Sequence, residues 1–246
     1  AASDPVTFTI AKTVPDVIAT NAGGTYDGSP MPASAQIAGV SGVYGASLEG
    51  VGLTFSYYVG SSATGAGTAT APTNAGTYTV VAGFAGSANY VAAQSAPVTF
   101  TIAQTASAVT AADAGGTFNG QSFAATIQVA GLSGIYGPSL EGVSPTATYY
   151  VGSSASGTGV AVAPSNAGIY TVVGSFAGSA NYGPSESTPV TFTIAQAAPT
   201  VVAEAVGGTY DGSSFAATAA IAGVVVGIDD TPAASLEGVG LTFTYY

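Results

Sequence analysis

The heptapeptide Pro-Val-Thr-Phe-Thr-Ile-Ala occurs three times in this chain, at Pro5–Ala11, Pro97–Ala103 and Pro189–Ala195. Apolar Val, Phe and Ile alternate with Thr, and this period of two is typical of a β-strand with one buried face. Successive copies begin 92 residues apart (97 − 5 and 189 − 97), so the chain is a tandem repeat that contains this strand in every period. The repeat constrains architecture far more tightly than it constrains chemistry.

Short alternating segments fill the rest of each period. In the first period, strands are predicted around Asp16–Ala22, Ala33–Val40, Leu53–Val59 and Thr77–Phe84. A tight turn is predicted at Gly24–Gly28, because the residues of an Asp-Gly dipeptide tolerate positive φ. A count of about seven short strands per period, without an amphipathic helical segment, indicates an all-β fold of antiparallel β-sandwich type.

Alternation also predicts which side chains share a face. In the strand Thr77–Phe84, the residues Tyr78, Val80, Ala82 and Phe84 are expected on one face of the sheet. By the same rule, one ring of each Tyr-Tyr dipeptide points inward and the other points outward.

Several further motifs recur with the heptapeptide. They are Gly-Gly-Thr-Tyr-Asp-Gly, Leu-Glu-Gly-Val-Gly-Leu-Thr-Phe-Ser-Tyr-Tyr, Ala-Pro-Thr-Asn-Ala-Gly-Thr-Tyr-Thr-Val-Val-Ala and Gly-Ser-Ala-Asn-Tyr. Over essentially the whole chain, this set resembles the bacterial Ig-like repeats of the MBG/YDG type. The resemblance implies tandem immunoglobulin-like antiparallel β-sandwich modules of long secreted or cell-surface proteins, including adhesins, and it brings no catalytic residue with it. The second copy departs from the pattern at Phe118 and Asn119, and the third has four extra residues around Val224–Ala234.

In such a module the heptapeptide is expected to be the last strand. This phase predicts a module at 12–103, a second at 104–195 and the first part of a third at 196–246, whereas 1–11 would be the closing strand of a preceding or neighbouring module. Two explanations stay open for the partial third module. The sequence is a window from a longer array, or the first heptapeptide of one chain closes the open module of another chain. One strand cannot replace all the missing strands, which favours the longer array.

The scarcity of charge excludes several classes of function. Asp, Glu, Lys and Arg make up 5% of the chain, against roughly 25% in ordinary globular proteins. Lys12 is the only basic residue and the net charge is −11, so no basic cluster is present to bind nucleic acid or anionic lipid. The chain has no His and no Cys, which excludes disulfides and imidazole or thiolate chemistry. No apolar run approaches the length of a spanning helix, so no membrane insertion is predicted for this segment.

Acidic side chains are the remaining candidates for a ligand site. Calcium loops place several oxygen ligands at alternating positions, and no D-x-D-x-D-G pattern occurs here. Carboxylates spread one per repeat also do not indicate the acid pair of a glycoside hydrolase. We therefore expect turn-forming or solvated carboxylates and predict no catalytic, cofactor-binding or metal-binding residue and no cofactor, with calcium at a module junction as the alternative. The acids considered are Asp27 and Asp211 in Asp-Gly turns, Glu49, Glu141 and Glu237 in Ser-Leu-Glu-Gly-Val motifs, and Asp229 and Asp230 in the third-copy insertion.

The sequence thus predicts a non-enzymatic structural protein, an extracellular or cell-surface filament or stalk of tandem modules. Because so few charges repel one another, identical chains or neighbouring modules are expected to associate side by side or head to tail. The alternative is an adhesin repeat that binds glycans or a partner protein. Loops that bind ligands should differ between copies, and the loops here are largely shared, which favours the structural role.

Overall fold

The computed structural model describes residues 1–245, and all the regular elements in this range are β-strands. The chain divides into two compact units. The first unit contains Ala1–Ser107 together with the loop Gly178–Pro184. The second unit contains Ala108–Ala177 and the residues from Ser185 to the end of the described chain, so it includes the third repeat.

The strands of the first unit form two sheets. They are β1 (Asp16–Thr20), β2 (Gly24–Thr25), β3 (Ser34–Ala38), β4 (Tyr44–Gly45), β5 (Ser47–Leu48), β6 (Val51–Val59), β7 (Gly76–Phe84), β8 (Ala93–Gln94) and β9 (Val98–Ala103). One sheet has the order β1-β3-β4, and the other has the order β2-β9-β7-β6-β5 with β8 paired to β7. Neighbouring strands are antiparallel except that β2 runs parallel to β9, where the sequence predicts only a turn.

The core of the first unit lies between these sheets. Val17 and Ile37 from the smaller sheet pack with Ala82 and Phe84 from the larger sheet and with Tyr90. Side chains from two sheets that meet in one apolar layer are the arrangement of a β-sandwich. The predicted all-β, sandwich-like architecture is therefore confirmed at this level.

The central strand β7 departs from the predicted one-face pattern. The four residues predicted to share its inward face do so, and three of them are buried. The intervening Thr79 and Val81 are also buried, at 0% and 7% exposure. The Thr79 hydroxyl bonds to the carbonyl oxygen of Gly60 at 2.9 Å and to the hydroxyl of Thr99 at 3.1 Å. Both faces of β7 are therefore buried at this point, and the buried Thr79 hydroxyl keeps its hydrogen bonds.

The Tyr-Tyr dipeptides follow the alternation rule. Tyr57 is 5% exposed, whereas Tyr58 is half-buried. The hydroxyl of Tyr57 accepts a hydrogen bond from the backbone N–H of Ala33 at 2.8 Å, which satisfies a buried donor. In the second unit, the hydroxyl of Tyr149 accepts the equivalent bond from Ala125 at 2.8 Å.

The first heptapeptide is unpaired in the described chain. Pro5–Ala11 forms no strand, and Val6, Phe8 and Ile10 are 89%, 80% and 85% exposed. A strand needs a neighbour for its N–H and C=O groups, and no described residue pairs with this segment, whereas the same sequence in β9 pairs with β7. That this segment closes another module stays a prediction.

The second unit repeats the strand pairing of the first. Asp16 faces Ala38 in the β1–β3 pair, and Ala108 faces Ala130, 92 residues later, in the β10–β12 pair. The main sheet of this unit has the order β11-β16-β14-β13, with β15 paired to β14. The strands are β10 (Ala108–Ala112), β11 (Gly116–Thr117), β12 (Thr126–Ala130), β13 (Thr146–Val151), β14 (Gly168–Phe176), β15 (Ser185–Glu186), β16 (Val190–Ala195), β17 (Thr200–Ala205), β18 (Ala217–Ala222), β19 (Ser235–Leu236) and β20 (Val239–Gly240).

The third repeat keeps only its first strand pairs. β17 pairs with β18 and β19 pairs with β20, and every residue of β17 is exposed. The alternating segment Leu241–Tyr246 is the third-repeat counterpart of Leu53–Val59, and its sequence predicts a strand. Residues 241–245 form no strand, and Tyr246 lies outside the described residues. Its counterpart β6 pairs with β7, and the sequence contains no third-repeat counterpart of β7. Residues 241–245 therefore have the alternating pattern of a strand, but the given sequence does not include the strand with which they would pair.

Candidate functional site

The carboxylates near the turns bind backbone rather than each other. Asp27 and Asp211 each accept a hydrogen bond from the backbone N–H two residues later, at 2.8 and 2.9 Å, as expected for turn-forming residues. In the third-repeat insertion, Asp229 and Asp230 accept bonds from N–H groups four and three residues earlier, at 2.7 and 2.8 Å. Among the described residues, no group of three or more acidic side chains could hold a metal ion.

The recurrent glutamate lies at a strained turn. Leu48 pairs with Val51, so Glu49 and Gly50 form a two-residue hairpin turn, with φ values of 51° and 79°. A positive φ costs a residue other than glycine roughly 1–2 kcal/mol. Glu141 and Glu237 have φ values of 50°, so the same residue type accepts this cost in all three repeats. Such a repeated choice indicates a role for the glutamate side chain.

The side chain of Glu49 holds a loop that lies about forty residues away in sequence. One carboxylate oxygen accepts hydrogen bonds from the Ser87 hydroxyl at 2.6 Å and from the Asn89 backbone N–H at 3.1 Å. The other accepts one from the Asn89 side-chain amide at 2.6 Å. Lys12 donates to the carbonyl oxygen of Ser87 at 2.7 Å. Glu49 is therefore an anchor for the segment Gly86–Tyr90, called here the anchor loop, although its side chain is exposed to solvent.

These contacts favour the ionised glutamate. The hydrogen bond from Ser87, followed by those from the side chain and backbone of Asn89, lowers the pKa of Glu49 below its ordinary value of 4.5. The positive charge of Lys12 acts in the same direction. Hydrogen bonds donated to a carboxylate stabilise its charged form, so the anchor is complete near neutral pH.

We expect acid to release this anchor. Because the folded-state pKa of Glu49 is depressed, its contribution to stability is fully present above the unfolded value of about 4.5 and is lost as the pH falls through the folded value. The variant Glu49→Gln should therefore weaken the dependence of the first unit's melting temperature on pH as the pH falls below about 4.5. Asp4→Asn, in the segment that forms no strand, is the matched control. An unchanged pH dependence in Glu49→Gln would contradict the anchoring role.

The anchor loop ends on a buried tyrosine. The ring of Tyr90 joins the core between the two sheets, and its hydroxyl lies against Gly39 and accepts a hydrogen bond from the Val40 N–H at 3.1 Å. Thr13 runs parallel to this residue: its N–H donates to Asn89 and its carbonyl oxygen accepts from Val91, both at 3.0 Å. The loop thus ties the beginning of the repeat to its core.

The second Gly-Ser-Ala-Asn-Tyr segment contacts a further set of residues in the first unit. The side-chain oxygen of Asn181 accepts a hydrogen bond from the Ala75 N–H at 2.7 Å, and its amide donates to the Asn74 side chain at 3.3 Å. The Tyr182 ring meets the Tyr26 ring edge-on, with centroids 5.7 Å apart. Asn181 is consequently 5% exposed.

Gln104 performs the task of Lys12 in this second copy. Its side-chain amide donates to the carbonyl oxygen of Ser179 at 2.7 Å, as Lys12 does to that of Ser87, 92 residues earlier. Thr105 donates to Asn181 and accepts from Gly183, at 3.0 and 2.9 Å, which repeats the pairing of Thr13. The contact needs an N–H donor but no positive charge, so the change from Lys to Gln is compatible with it.

Neither protein-family models nor curated proteins give a match for this chain. Among the described residues, no helix has the length and hydropathy needed to cross a bilayer. The geometry shows a binding site for a peptide loop, called here the loop seat. Side chains of the site form hydrogen bonds with the loop, and apolar residues pack around the loop's tyrosine ring. Sequence reasoning missed it, although the Leu-Glu-Gly and Ser-Ala-Asn-Tyr motifs recur together in both complete repeats.

Proposed function

We propose that this chain is a non-enzymatic structural protein, in which tandem immunoglobulin-like modules with a 92-residue period form an extracellular filament or stalk. The observation that carries the proposal is the parallel pairing of an early strand of each repeat with its closing heptapeptide. Gly24 faces Ile102 in the β2–β9 pair, and Gly116 faces Ile194 in the β11–β16 pair. Next to these pairs, Tyr26 donates to Ala103 at 2.8 Å.

Parallel pairing of this kind suits a protein that carries tension. If the two ends of a repeat are pulled in opposite directions, parallel strands are drawn past each other, and their hydrogen bonds are loaded together. Antiparallel strands pulled from a shared end would open one bond at a time. Bonds loaded together must break together, so the parallel pairs oppose extension more strongly than a hairpin does.

The course of the chain adds a second argument. Because the first unit takes in Gly178–Pro184, the polypeptide passes between the two units three times, after Ser107, before Gly178 and after Pro184. We propose that short junctions join successive modules, since only residues 104–107 separate β9 from β10. The resemblance to MBG/YDG repeats supports a secreted or cell-surface setting.

Self-association of identical chains is part of the same proposal. Only 5% of the residues carry charge, so little electrostatic repulsion opposes contact between neighbouring molecules. Val59 and Val151, 92 residues apart, are 87% and 85% exposed, so each of the first two repeats presents an apolar side chain at the same position.

Single-molecule force spectroscopy tests the structural role. Pulling the chain from its two ends should give two resisted unfolding events, each lengthening the molecule by roughly 300 Å, as expected for about 92 residues at up to 3.6 Å each. Extension without resolved resistance would refute the load-bearing role. Saturable binding to a glycan array would instead support the adhesin alternative.

A further inference from the structure

The second unit contains an open cavity of about 640 Å³. Its walls come from the turn after β11, the residues before β14, the junction after β16 and the strand pairs of the third repeat. One wall, called here the first wall, includes Phe118, Asn166, Ala167 and Gln196. The remaining wall includes Ile221, Gly223, Leu236, Glu237 and Val239.

The first wall consists of residues equivalent to those that bind the second Gly-Ser-Ala-Asn-Tyr segment in the first unit. In the first unit, that segment is contacted by Tyr26, Asn74, Ala75 and Gln104. Each of these has its counterpart, 92 residues later, in the cavity wall: the four residues are Phe118, Asn166, Ala167 and Gln196.

The remaining wall consists of residues equivalent to those that bind the anchor loop in the first unit. In the first unit, Ile37, Leu48 and Val51 pack around Tyr90, and Glu49 binds the loop's Ser and Asn. The third-repeat counterparts follow 184 residues later, or 188 after the four-residue insertion. They are Ile221, Leu236, Val239 and Glu237, and all four line the cavity. Glu237 keeps the positive φ of Glu49, so its turn has the same form.

We propose that this cavity is a binding seat for a Gly-Ser-Ala-Asn-Tyr loop supplied by a further repeat of the same kind. Glu237 accepts the hydrogen bonds of the loop's Ser hydroxyl and Asn amide. The Ala167 N–H donates to the Asn side-chain oxygen, and the Gln196 amide donates to the Ser carbonyl oxygen. The Tyr ring enters between Phe118 and Ile221. The inference deepens the proposed modular function and rests on it for the identity of the occupant.

One residue of the cavity has no counterpart in the first unit. The carboxylate of Asp229, from the four-residue insertion, lies against Gly223 and accepts a hydrogen bond from the Val225 N–H at 2.7 Å. In the first unit, the corresponding place beside Gly39 is taken by the hydroxyl of Tyr90. Asp229 therefore occupies the position that the incoming Tyr hydroxyl needs, and it must move when the loop binds.

Isothermal titration of the whole chain with a synthetic peptide of the sequence Phe176–Pro184 tests the proposal. We expect saturable binding of one peptide per chain. Loss of a charge-assisted hydrogen bond typically weakens binding by about tenfold or more, so Glu237→Gln should do this, and so should a peptide in which alanine replaces Asn181. Asp229→Ala should strengthen binding because it removes the carboxylate from the place that the hydroxyl of the peptide's tyrosine would occupy. Unchanged circular dichroism and melting of the chain variants verify that they fold.

Three results would overturn the proposal. The native peptide shows no saturable binding, or it binds no more tightly than the alanine-substituted peptide. Alternatively, the chain alone forms dimers that Glu237→Gln dissolves, which would assign the seat to a second copy of this chain. If the peptide binds but the chain extends in force spectroscopy without resistance, only the load-bearing function is refuted. The two proposals can therefore fail independently.

Discussion

Replacing Phe100 with alanine is expected to lower the free energy of unfolding of the first unit by about 3–5 kcal/mol. The ring is 4% exposed and packs against Tyr57 and Tyr78, with centroid separations of 6.5 and 5.8 Å. Removing it leaves a cavity between strands β9, β7 and β6 that this close-packed core cannot fill. Urea unfolding followed by circular dichroism measures the change.

The chain supplies its own control for this prediction. Phe8 occupies the same position of the same heptapeptide but is 80% exposed, so Phe8→Ala should change the unfolding free energy by less than about 0.5 kcal/mol. Phe192→Ala, at 4% exposure, should destabilise the second unit instead. Equal effects of Phe8→Ala and Phe100→Ala would mean that the first heptapeptide is buried, contrary to the structure.

Replacing Gly23 with alanine is the second large effect that we expect, a loss of roughly 2–5 kcal/mol for the first unit. Gly23 has a φ of 69°, which disfavours any side chain, and a Cβ there would collide with the backbone carbonyl oxygen of Thr101. Thr101 belongs to β9, which is held between β2 and β7, so the backbone cannot withdraw without breaking sheet hydrogen bonds. Thermal unfolding measures the loss.

The variant Gly42→Ala separates the cost of the positive φ from the cost of the steric collision. Gly42 has a nearly identical φ of 70°, but a Cβ there meets open space, so only the conformational cost of roughly 1–2 kcal/mol applies. Gly115, which approaches Thr193 in the second unit as Gly23 approaches Thr101, should respond like Gly23. A loss at Gly23→Ala no larger than that at Gly42→Ala would rule out the close contact between β2 and β9.

Most strands of the fold could be predicted because alternation is a local property. The pattern of Leu53–Val59 and Thr77–Phe84 is sufficient to identify β6 and β7. What alternation cannot supply is the partner. Pro5–Ala11 has the same sequence as Pro97–Ala103, yet only the latter forms a strand, because only it lies beside β7.

The loop seat could not be predicted for a related reason. Its essential hydrogen bonds join Glu49 to Ser87 and Asn89, and such distant contacts depend on how the sheets are stacked. The sequence predicts a turn-forming or solvated carboxylate at Glu49 and does not reveal the loop to which it binds. The parallel pairing of β2 was also missed, since two residues give no period to detect. The usable signal was the joint recurrence of the Glu-Gly and Ser-Ala-Asn-Tyr motifs in both complete repeats.

The inclusion of Gly178–Pro184 in the first unit has a consequence for biosynthesis. These residues leave the ribosome about 70 residues after Ser107, so the first unit cannot make all its contacts until much of the next repeat has been synthesised. The Ala75 amide meets the Asn181 side chain only then. An array built in this way matures from its amino terminus in overlapping steps, and each new repeat finishes the one before it.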